Sequence, residues 1–181
     1  GIPFINETET LPFLLQSIDR ILESWIGRRQ LIVCVGDYSA GQLLETIQSL
    51  ELKHPHISFL MPKEISGRGT CMKAMIHISK LLDADLLLFS ANMATEEGTA
   101  VDSSWLESLL TPIQGHYDLV VGTLRRHLGI DSIAHILVSP ILEAFYGFSI
   151  GDPLGGIYAI SHDFIEELDH ESRFWEKATR G

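Results

Sequence analysis

The chain has 181 residues, 45% of them hydrophobic and 20% charged, which is enough for one compact α/β domain with a substantial core. Lysine and arginine total 13 against 24 aspartate and glutamate residues, and the formal net charge of -11 argues against a general binder of the nucleic-acid backbone. No apolar stretch approaches the roughly 20 residues that cross a bilayer, so no membrane span is expected.

The two cysteines, Cys34 and Cys71, lie inside apolar runs and lack the spacing of metal ligands. This usage predicts reduced core residues of a cytoplasmic protein rather than a disulfide.

Strand and helix signals alternate along the first half of the chain. Apolar residues at three-to-four spacing after Thr10 predict an amphipathic helix, and the β-branched run that follows predicts a strand covered on both sides. In chain order the predicted elements are a strand end at 2–5, a helix from Thr10 to about 25, a strand at 30–36, a helix at about 40–50, a strand at 56–61, a helix opened by 67–70 and a strand at 85–89.

The second half continues the alternation. It predicts a helix over about 103–110, a strand at 117–122, a long helix over about 131–146 and a strand near 157–160. Strands that alternate with helices of this length imply right-handed crossovers and a mostly parallel sheet. Ligands of such sheets bind at the carboxyl ends of the strands, so the loops there are the place to look for chemistry.

Four strand-end segments carry candidate residues: IPFINETET (2–10), VGDYSAG (35–41), ISGRGT (65–70) and FSANM (89–93). Each also has a simple structural explanation. Glu7 could belong to a turn and helix start, and Asp37 with Ser39 could form a helix cap. The glycines around Arg68 would let a ligand approach the backbone before a helix, but Gly-x-Gly is also a common turn.

The order and spacing of these segments resemble the nucleotide-binding half of GT-A glycosyltransferases, close to the family 2 type, whose usual text is roughly IPxYNEE, VVDDGSxD, GKGxA and a strand ending in DxD. The resemblance implies a single GT-A (nucleotide-diphospho-sugar transferase) domain with a mostly parallel sheet flanked by helices. It would divide into a nucleotide-binding half (1–93) and an acceptor and donor-sugar half (94–181), truncated at both ends.

The resemblance also implies roles for individual residues. Ser90 and Asn92 occupy the two aspartate positions of DxD, so the motif is degenerate here. The other implied nucleotide-binding residues are Pro3, Ile5 and Glu7 for the uracil or guanine ring and the ribose, Asp37 or Ser39 for the base, and Arg68 at the position where a lysine or arginine meets the nucleotide.

The second half resembles, in order, the retaining GT-A synthases that make glucosyl-phosphoglycerate or mannosylglycerate. The matching text is WLESLLTPI (105–113), YDLVVGTLRR (117–126), SPILEAFYG (139–147) and GDPLGGIYAIS (151–161). By that resemblance Arg125 and Arg126 would meet the carboxylate or phosphate of an acidic acceptor, and Leu154, Gly155 and Gly156 would line the donor sugar. Adjacent guanidinium groups suit an anion, although an arginine pair beside a strand is also an ordinary solvated surface.

Two histidines lie near these segments. His127 is adjacent to the arginine pair and could assist with an acceptor phosphate, and His162 follows the last strand and could reach the sugar pocket. Lone histidines more often belong to the surface or the core.

A GT-A enzyme usually binds Mg²⁺ or Mn²⁺ between an acidic residue and the donor diphosphate, and Ser-x-Asn offers only weak ligands for such a cation. Asn92 is a weak metal candidate, and Asp83 and Asp85 precede the strand and belong at its opposite end. Three explanations remain open. The metal is held by Glu96, Glu97 or Asp102 in the following loop, or Arg68 and other cations replace it, or the domain binds nucleotide poorly and has lost catalysis.

The leading hypothesis is a glycosyltransferase that transfers a hexose from a nucleotide-diphospho-sugar to a small acidic acceptor, with no catalytic residue assigned. The rival is a noncatalytic GT-A domain that binds a nucleotide or a protein partner. A nucleotidyltransferase is weaker, because the glycine-rich cationic loop of such enzymes is absent near residue 1. A homo-oligomer stays open, with an aromatic cluster of Phe145, Tyr146 and Phe148 expected in the core or, less readily, at an interface.

Overall fold

A computed structural model of the chain describes residues 1–25, 27–65, 67–90, 103–122, 138–147 and 156–170. These residues form strands and helices that largely alternate, as the sequence predicts. The elements are β1 (Ile2–Phe4), α1 (Thr10–Leu22), β2 (Ile32–Gly36), α2 (Gly41–Gln48), β3 (His56–Leu60), a short 3-10 turn (Lys63–Ile65), α3 (Arg68–Leu81), β4 (Leu86–Phe89), α4 (Ser103–Gln114), β5 (Leu119–Val121), α5 (Ser139–Tyr146), β6 (Ile157–Ile160) and α6 (His162–His170).

The strands form two three-stranded sheets. In the first sheet β1, β2 and β3 pair in that order, all parallel, with Cys34 opposite Ile2 and Ile32 opposite His56. In the second sheet β6 lies between β4 and β5 and is antiparallel to both, with Leu86 and Leu119 opposite Ile160. The α/β class is therefore confirmed.

The expectation of a mostly parallel sheet holds for the first sheet. It is wrong for the second sheet, where both strand pairs are antiparallel. Strand β6 runs opposite to its two neighbours. Its apolar residues predict a buried strand but contain no information on direction, because direction depends on the path of the chain before it.

Gly1 connects the two sheets. Its backbone nitrogen donates a hydrogen bond to the Leu87 carbonyl at 2.5 Å, and the Phe89 N–H donates to the Gly1 carbonyl at 2.9 Å. This places β1 beside β4, in the pattern of a parallel pair. Across both sheets the strands then follow the order β3, β2, β1, β4, β6, β5.

The core consists of two apolar layers, one on each face of the strands. On β2, Cys34 packs into one layer and Val35 into the other, as expected for the two-residue period of a strand. Helices α1, α2 and α4 cover the first face, and α3 and α6 cover the second, because their buried side chains belong to those layers. Both sheets contribute to both layers, for example Ile157 to the first and Ile160 to the second.

Both cysteines are free and buried, as predicted. Burial raises the pKa of Cys34 to about 12 and that of Cys71 to about 11, so both thiols stay protonated at neutral pH. No helix in the described ranges is both long and apolar enough to cross a bilayer.

The structure changes several details of the predicted elements. Helix α6 was not predicted, and α4 continues to Gln114, past the predicted end at about 110. The long helix predicted over 131–146 is seen as α5, while 131–137 lie outside the described residues. Phe145 is 80% exposed on α5, so it is not the core residue that its aromatic neighbourhood led us to expect.

Candidate functional site at the carboxyl edge

The site lies at the edge where β1, β2, β3 and β4 end and where β6 begins, which we call the carboxyl edge; the opposite one is the amino edge. From β1 the chain proceeds to β2 and β3 on one side, and it later returns to β4 on the other side. The boundary between β1 and β4 is thus a point at which the strand order reverses. In open α/β sheets a ligand crevice forms at the carboxyl ends of the strands at such a point.

Glu7 lies in the loop between β1 and α1 and carries a buried carboxylate, 5% exposed. Its Oε2 accepts hydrogen bonds from the backbone N–H groups of Ile5 at 2.6 Å and Asn6 at 3.0 Å. Its Oε1 accepts from Nη2 of Arg68 at 2.7 Å. Both oxygens therefore have donors, as a buried charge requires.

Arg68 is the first residue of α3 and is supported from two sides. Besides the ion pair with Glu7, its Nη1 donates to the Ser90 hydroxyl at 3.3 Å. The side chain is still 38% exposed. A guanidinium carries five N–H donors, and the contacts with Glu7 and Ser90 use two of them.

Ser90 follows β4 and is held against the start of β6. Its N–H donates to the carbonyl of Gly156 at 2.7 Å. Gly156 has a φ of +74°, and a Cβ atom there would lie 2.6 Å from the Cβ of Ser90. Only glycine combines this conformation with so close an approach. Glu7, Arg68 and Ser90, which we call the Arg68 cluster, thus come from three different strand ends or helix starts.

Asp37 and Ser39 form a local turn after β2. Oδ1 of Asp37 accepts from the N–H of Ser39 at 3.0 Å and from its hydroxyl at 2.8 Å, and the Asp37 N–H donates to the Phe4 carbonyl at 2.9 Å. The alternative that these two residues cap a helix is wrong, because the residue preceding α2 is Ala40 and no side chain caps that helix. They form a side-chain turn instead.

The remaining implied residues divide into two groups. Pro3 is buried within β1, opposite Val35, and Ile5 is half-buried just after that strand. Outside the described residues lie Asn92, Glu96, Glu97, Asp102, Arg125, Arg126, His127, Leu154 and Gly155.

His162 is not near the carboxyl edge, so the expectation that it could reach the sugar pocket is wrong. Its Nε2 lies 3.0 Å from Oδ1 of Asp83, and its N–H donates to Oδ1 of Asp85 at 2.9 Å. The reason is the reversed direction of β6, which begins at the carboxyl edge with Gly156 and ends at the amino edge. Asp83 and Asp85 lie there too, as expected, since they precede β4.

A cavity of about 590 Å³ opens at the amino edge, bordered by the last turns of α1 and α3 and by the start of β4. Its walls are mostly core side chains such as Leu22 and Met75, and its polar border combines Arg28 and Arg29 with Asp83 and Asp85. Because its border carries charges of both signs, the cavity has no evident preference for an anion. It also lies at the opposite edge of the sheets from the Arg68 cluster.

Two residues of the carboxyl edge were missed by sequence reasoning. Tyr38 follows Asp37 and is 47% exposed, and Nζ of Lys63 lies 5.7 Å from the centroid of its ring. An exposed aromatic ring offers a face on which a nucleobase can stack. The sequence places Tyr38 in a strand-end loop but does not show its exposure, which other aromatic residues such as Phe13 share.

The described residues of this edge fit a divalent cation poorly. Among them no three histidine, cysteine, aspartate or glutamate residues are grouped closely enough to hold a metal ion. The carboxylate of Glu7 is already occupied by three donors, and Ser90 contributes one hydroxyl that faces Arg68.

No protein-family model matches the chain, and no curated protein sequence shows significant similarity to it.

Proposed function

We propose that this protein is a glycosyltransferase of the GT-A type that transfers a hexose from a nucleotide-diphospho-sugar to a small acidic acceptor. The observation that carries the proposal is the partly exposed guanidinium of Arg68, fixed by Glu7 and Ser90 where the strand order reverses. The ordered motifs of the sequence supply the class of ligand. The geometry supports the proposal by bringing three of the implied nucleotide-binding residues together.

Arg68 is suited to the diphosphate of the donor. A planar guanidinium can donate two parallel hydrogen bonds to phosphate oxygens, and one that is already held in place loses little conformational entropy on binding. Tyr38 provides a stacking face for the base, in the loop that carries Asp37 and Ser39. The base would thus lie over β2 and the diphosphate over α3.

The sugar belongs beside Ser90 and Gly156. The absence of a side chain at Gly156 lets this residue lie directly against Ser90, and the resemblance assigns Gly156, together with Leu154 and Gly155, to the donor sugar. Arg125 and Arg126 would bind the carboxylate or phosphate of the acceptor. In the transfer the bond from the anomeric carbon to the diphosphate breaks, the acceptor oxygen bonds to that carbon, and the acceptor proton goes to the departing diphosphate.

The protein's contribution to this reaction is orientation and charge stabilisation. Negative charge grows on the diphosphate as it leaves, and a cation already aimed at that position stabilises it without reorganisation. Holding donor and acceptor together removes much of the entropic barrier of the reaction.

Calorimetric titration with UDP-sugars and GDP-sugars, with and without Mn²⁺, tests the proposal. We expect one nucleotide class to bind, and we expect Arg68→Ala to weaken that binding by about tenfold or more, as for loss of a charged hydrogen-bonding pair. Arg29→Ala is the matched control, because this exposed arginine lies at the amino edge. Failure of both nucleotide classes to bind at millimolar concentration would contradict the proposal.

A second measurement separates the enzyme from a noncatalytic nucleotide-binding domain. Glycerate and phosphoglycerate are offered as acceptors with the sugar nucleotide that binds, and release of the nucleoside diphosphate is followed. The proposed enzyme releases it in an acceptor-dependent manner. A domain that binds the sugar nucleotide but never releases the diphosphate would support the noncatalytic alternative.

A further inference from the structure

We propose that Arg68 takes the place of the divalent cation in this protein, so that the diphosphate of a nucleotide binds without a metal ion. The inference rests on the proposed function, since it concerns how the same site holds its donor. GT-A enzymes usually bind Mg²⁺ or Mn²⁺, but the described residues around Ser90 do not supply the acidic ligands that such a cation needs.

A metal ion beside Ser90 would need oxygen ligands. Mg²⁺ and Mn²⁺ favour carboxylate oxygens, and the two aspartates of DxD at the end of β4 would ordinarily supply them. Ser90 stands at the first of these positions with a neutral hydroxyl, and Asn92, at the second, lies outside the described residues. The nearby acid of the cluster, Glu7, uses Oε2 for two backbone N–H groups and Oε1 for Arg68, so three of its roughly four lone-pair sites are already occupied by donors.

The guanidinium of Arg68 already lies beside Ser90, where a metal ion would bind. Nη1 of Arg68 lies 3.3 Å from the hydroxyl of Ser90, within the space that a cation bound to residue 90 would need. A metal ion there would lie against a positively charged guanidinium, and the two positive charges would repel each other. The guanidinium is therefore an alternative to the metal rather than a companion.

The net charge of the Arg68 cluster also fits a site without a metal ion. Glu7 neutralises Arg68 formally, and Ser90 adds no negative charge, whereas an aspartate there would leave the cluster with a net negative charge that a metal would have to offset. The first residue of α3 is Arg68, and the preceding Gly67 has no side chain to cap the helix. The free N–H groups of the first turn then add partial positive charge beside the guanidinium.

The experiment measures the affinity of UDP and of GDP by calorimetry, once in excess EDTA and once in saturating Mn²⁺. We expect the dissociation constant of the nucleotide that binds to agree within about twofold between the two conditions. A tightening of about tenfold or more by Mn²⁺ would overturn the inference and would point to acids outside the cluster, such as Glu96, Glu97 or Asp102. Absence of binding in both conditions would instead refute the proposed function.

Ser90→Asp tests the charge balance directly. In EDTA this variant should bind the nucleotide at least about tenfold more weakly than the natural protein, because the new carboxylate competes with the diphosphate for Arg68, and Mn²⁺ should restore part of the loss. Ser108→Asp on α4 introduces the same charge at an exposed serine and should bind like the natural protein. If Ser90→Asp binds as tightly as the natural protein in EDTA, the inference is wrong.

Arg68→Lys provides an independent test if Ser90→Asp does not fold. Lysine keeps the positive charge but not the forked geometry, so the variant should bind in EDTA more weakly than the natural protein and more tightly than Arg68→Ala. Equal affinity of Arg68→Ala and the natural protein in EDTA would overturn the inference without any need for a residue 90 variant.

Discussion

At the scale of single residues, Glu7 explains why Arg68 can act as a fixed cation. The two residues are 61 positions apart, and each has a second anchor, the backbone of the β1–α1 loop for Glu7 and the hydroxyl of Ser90 for Arg68. A long side chain held at two points loses less freedom when it binds an anion. Glu7 thus holds Arg68 in position, and its contact with base and ribose, which the resemblance implied, stays a prediction.

Replacement of Glu7 by glutamine should lower the free energy of unfolding by about 1 to 3 kcal/mol, because a buried carboxylate that accepts three hydrogen bonds is replaced by an amide that matches only some of them. Urea unfolding measures the change. Glu9→Gln, an exposed glutamate of the same loop, should change the free energy by less than about 0.5 kcal/mol. Equal effects of the two substitutions would show that the pairing with Arg68 contributes nothing to stability.

The sequence predicted this cluster only in part. The order of the motifs indicated that Glu7, Arg68 and Ser90 belong to one edge of the sheet, because the ends of parallel strands meet there. It could not indicate that Glu7 and Arg68 pair, since a contact over 61 positions depends on the rotamers and loop path of the folded chain. The expectation that His162 reaches the sugar pocket failed for a similar reason. The direction of β6, which places His162 at the amino edge, is not encoded in the local sequence.

At the scale of elements, β2 is the strand that both layers enclose, and its last residue shows how tightly. A Cβ atom on Gly36 would overlap the ring of Phe4 and lie 2.6 Å from Cδ2 of Leu60. Close packing of this kind is typical of protein interiors and leaves no room for one more carbon. The end of β2 is thereby fixed between the ends of β1 and β3. This packing stabilises the strand ends that form the carboxyl edge.

Gly36→Ala should therefore destabilise the protein by about 1 to 3 kcal/mol through overpacking. Gly41→Ala is the matched control, since nothing lies within 4 Å of a Cβ atom there and the residue begins α2. We expect the control to be neutral or slightly stabilising, by about 0.5 kcal/mol or less, because alanine favours a helix. Thermal unfolding of both variants decides the point, and a destabilised control with an unaffected Gly36→Ala would contradict it.

Helix α1 is tied to the segment before β3 by Asp19. Oδ1 accepts from the N–H of His54 at 2.9 Å and from its ring Nδ1 at 2.8 Å, and Oδ2 accepts from the N–H of Lys53 at 3.1 Å. Burial by itself would raise the pKa of Asp19, but the hydrogen bonds from Lys53 and His54 outweigh it and place the pKa below the ordinary value of 3.8.

The lowered pKa predicts how stability depends on pH. A carboxyl with a lower pKa in the folded than in the unfolded protein stabilises the fold fully above 3.8 and loses that contribution as the pH falls toward the folded value. Asp19→Asn should accordingly reduce the drop in the unfolding free energy between neutral pH and pH values below 3.8, measured by urea titrations. Glu23→Gln, an exposed partner of Lys53, should leave the drop unchanged, and a reversal of the two profiles would exclude Asp19 as its source.

At the scale of the whole molecule, two sheets share both of their apolar layers. Continuous apolar runs predicted the strands, and the lengths of the intervening helices predicted an α/β class, because both signals are local. The division into a parallel and an antiparallel sheet was not predictable from such local signals. Helix α6 was missed although its signal was present, since Phe164, Ile165 and Leu168 have helical spacing and the Ser161 hydroxyl accepts from the N–H of Phe164 at 3.1 Å.

The shared layers predict that both sheets unfold together. Ile32 of β2 and Ala159 of β6 belong to the same apolar layer, so loss of one sheet would expose the apolar surface of the other. Hydrogen exchange in increasing urea should give the backbone amides of β2 and β6 the same opening free energy. Exchange of β6 at urea concentrations where β2 stays protected would show that the sheets open separately.

Amide chemical shifts of the ¹⁵N-labelled protein during a UDP or GDP titration in EDTA show whether nucleotide binds at the Arg68 cluster. We expect the largest shifts at Glu7, Asp37, Arg68, Ser90 and Gly156 of the carboxyl edge. This binding site would be contradicted by shifts centred elsewhere, such as on Arg28, Asp83 and Asp85 around the cavity of the amino edge, or by no shifts with either nucleotide.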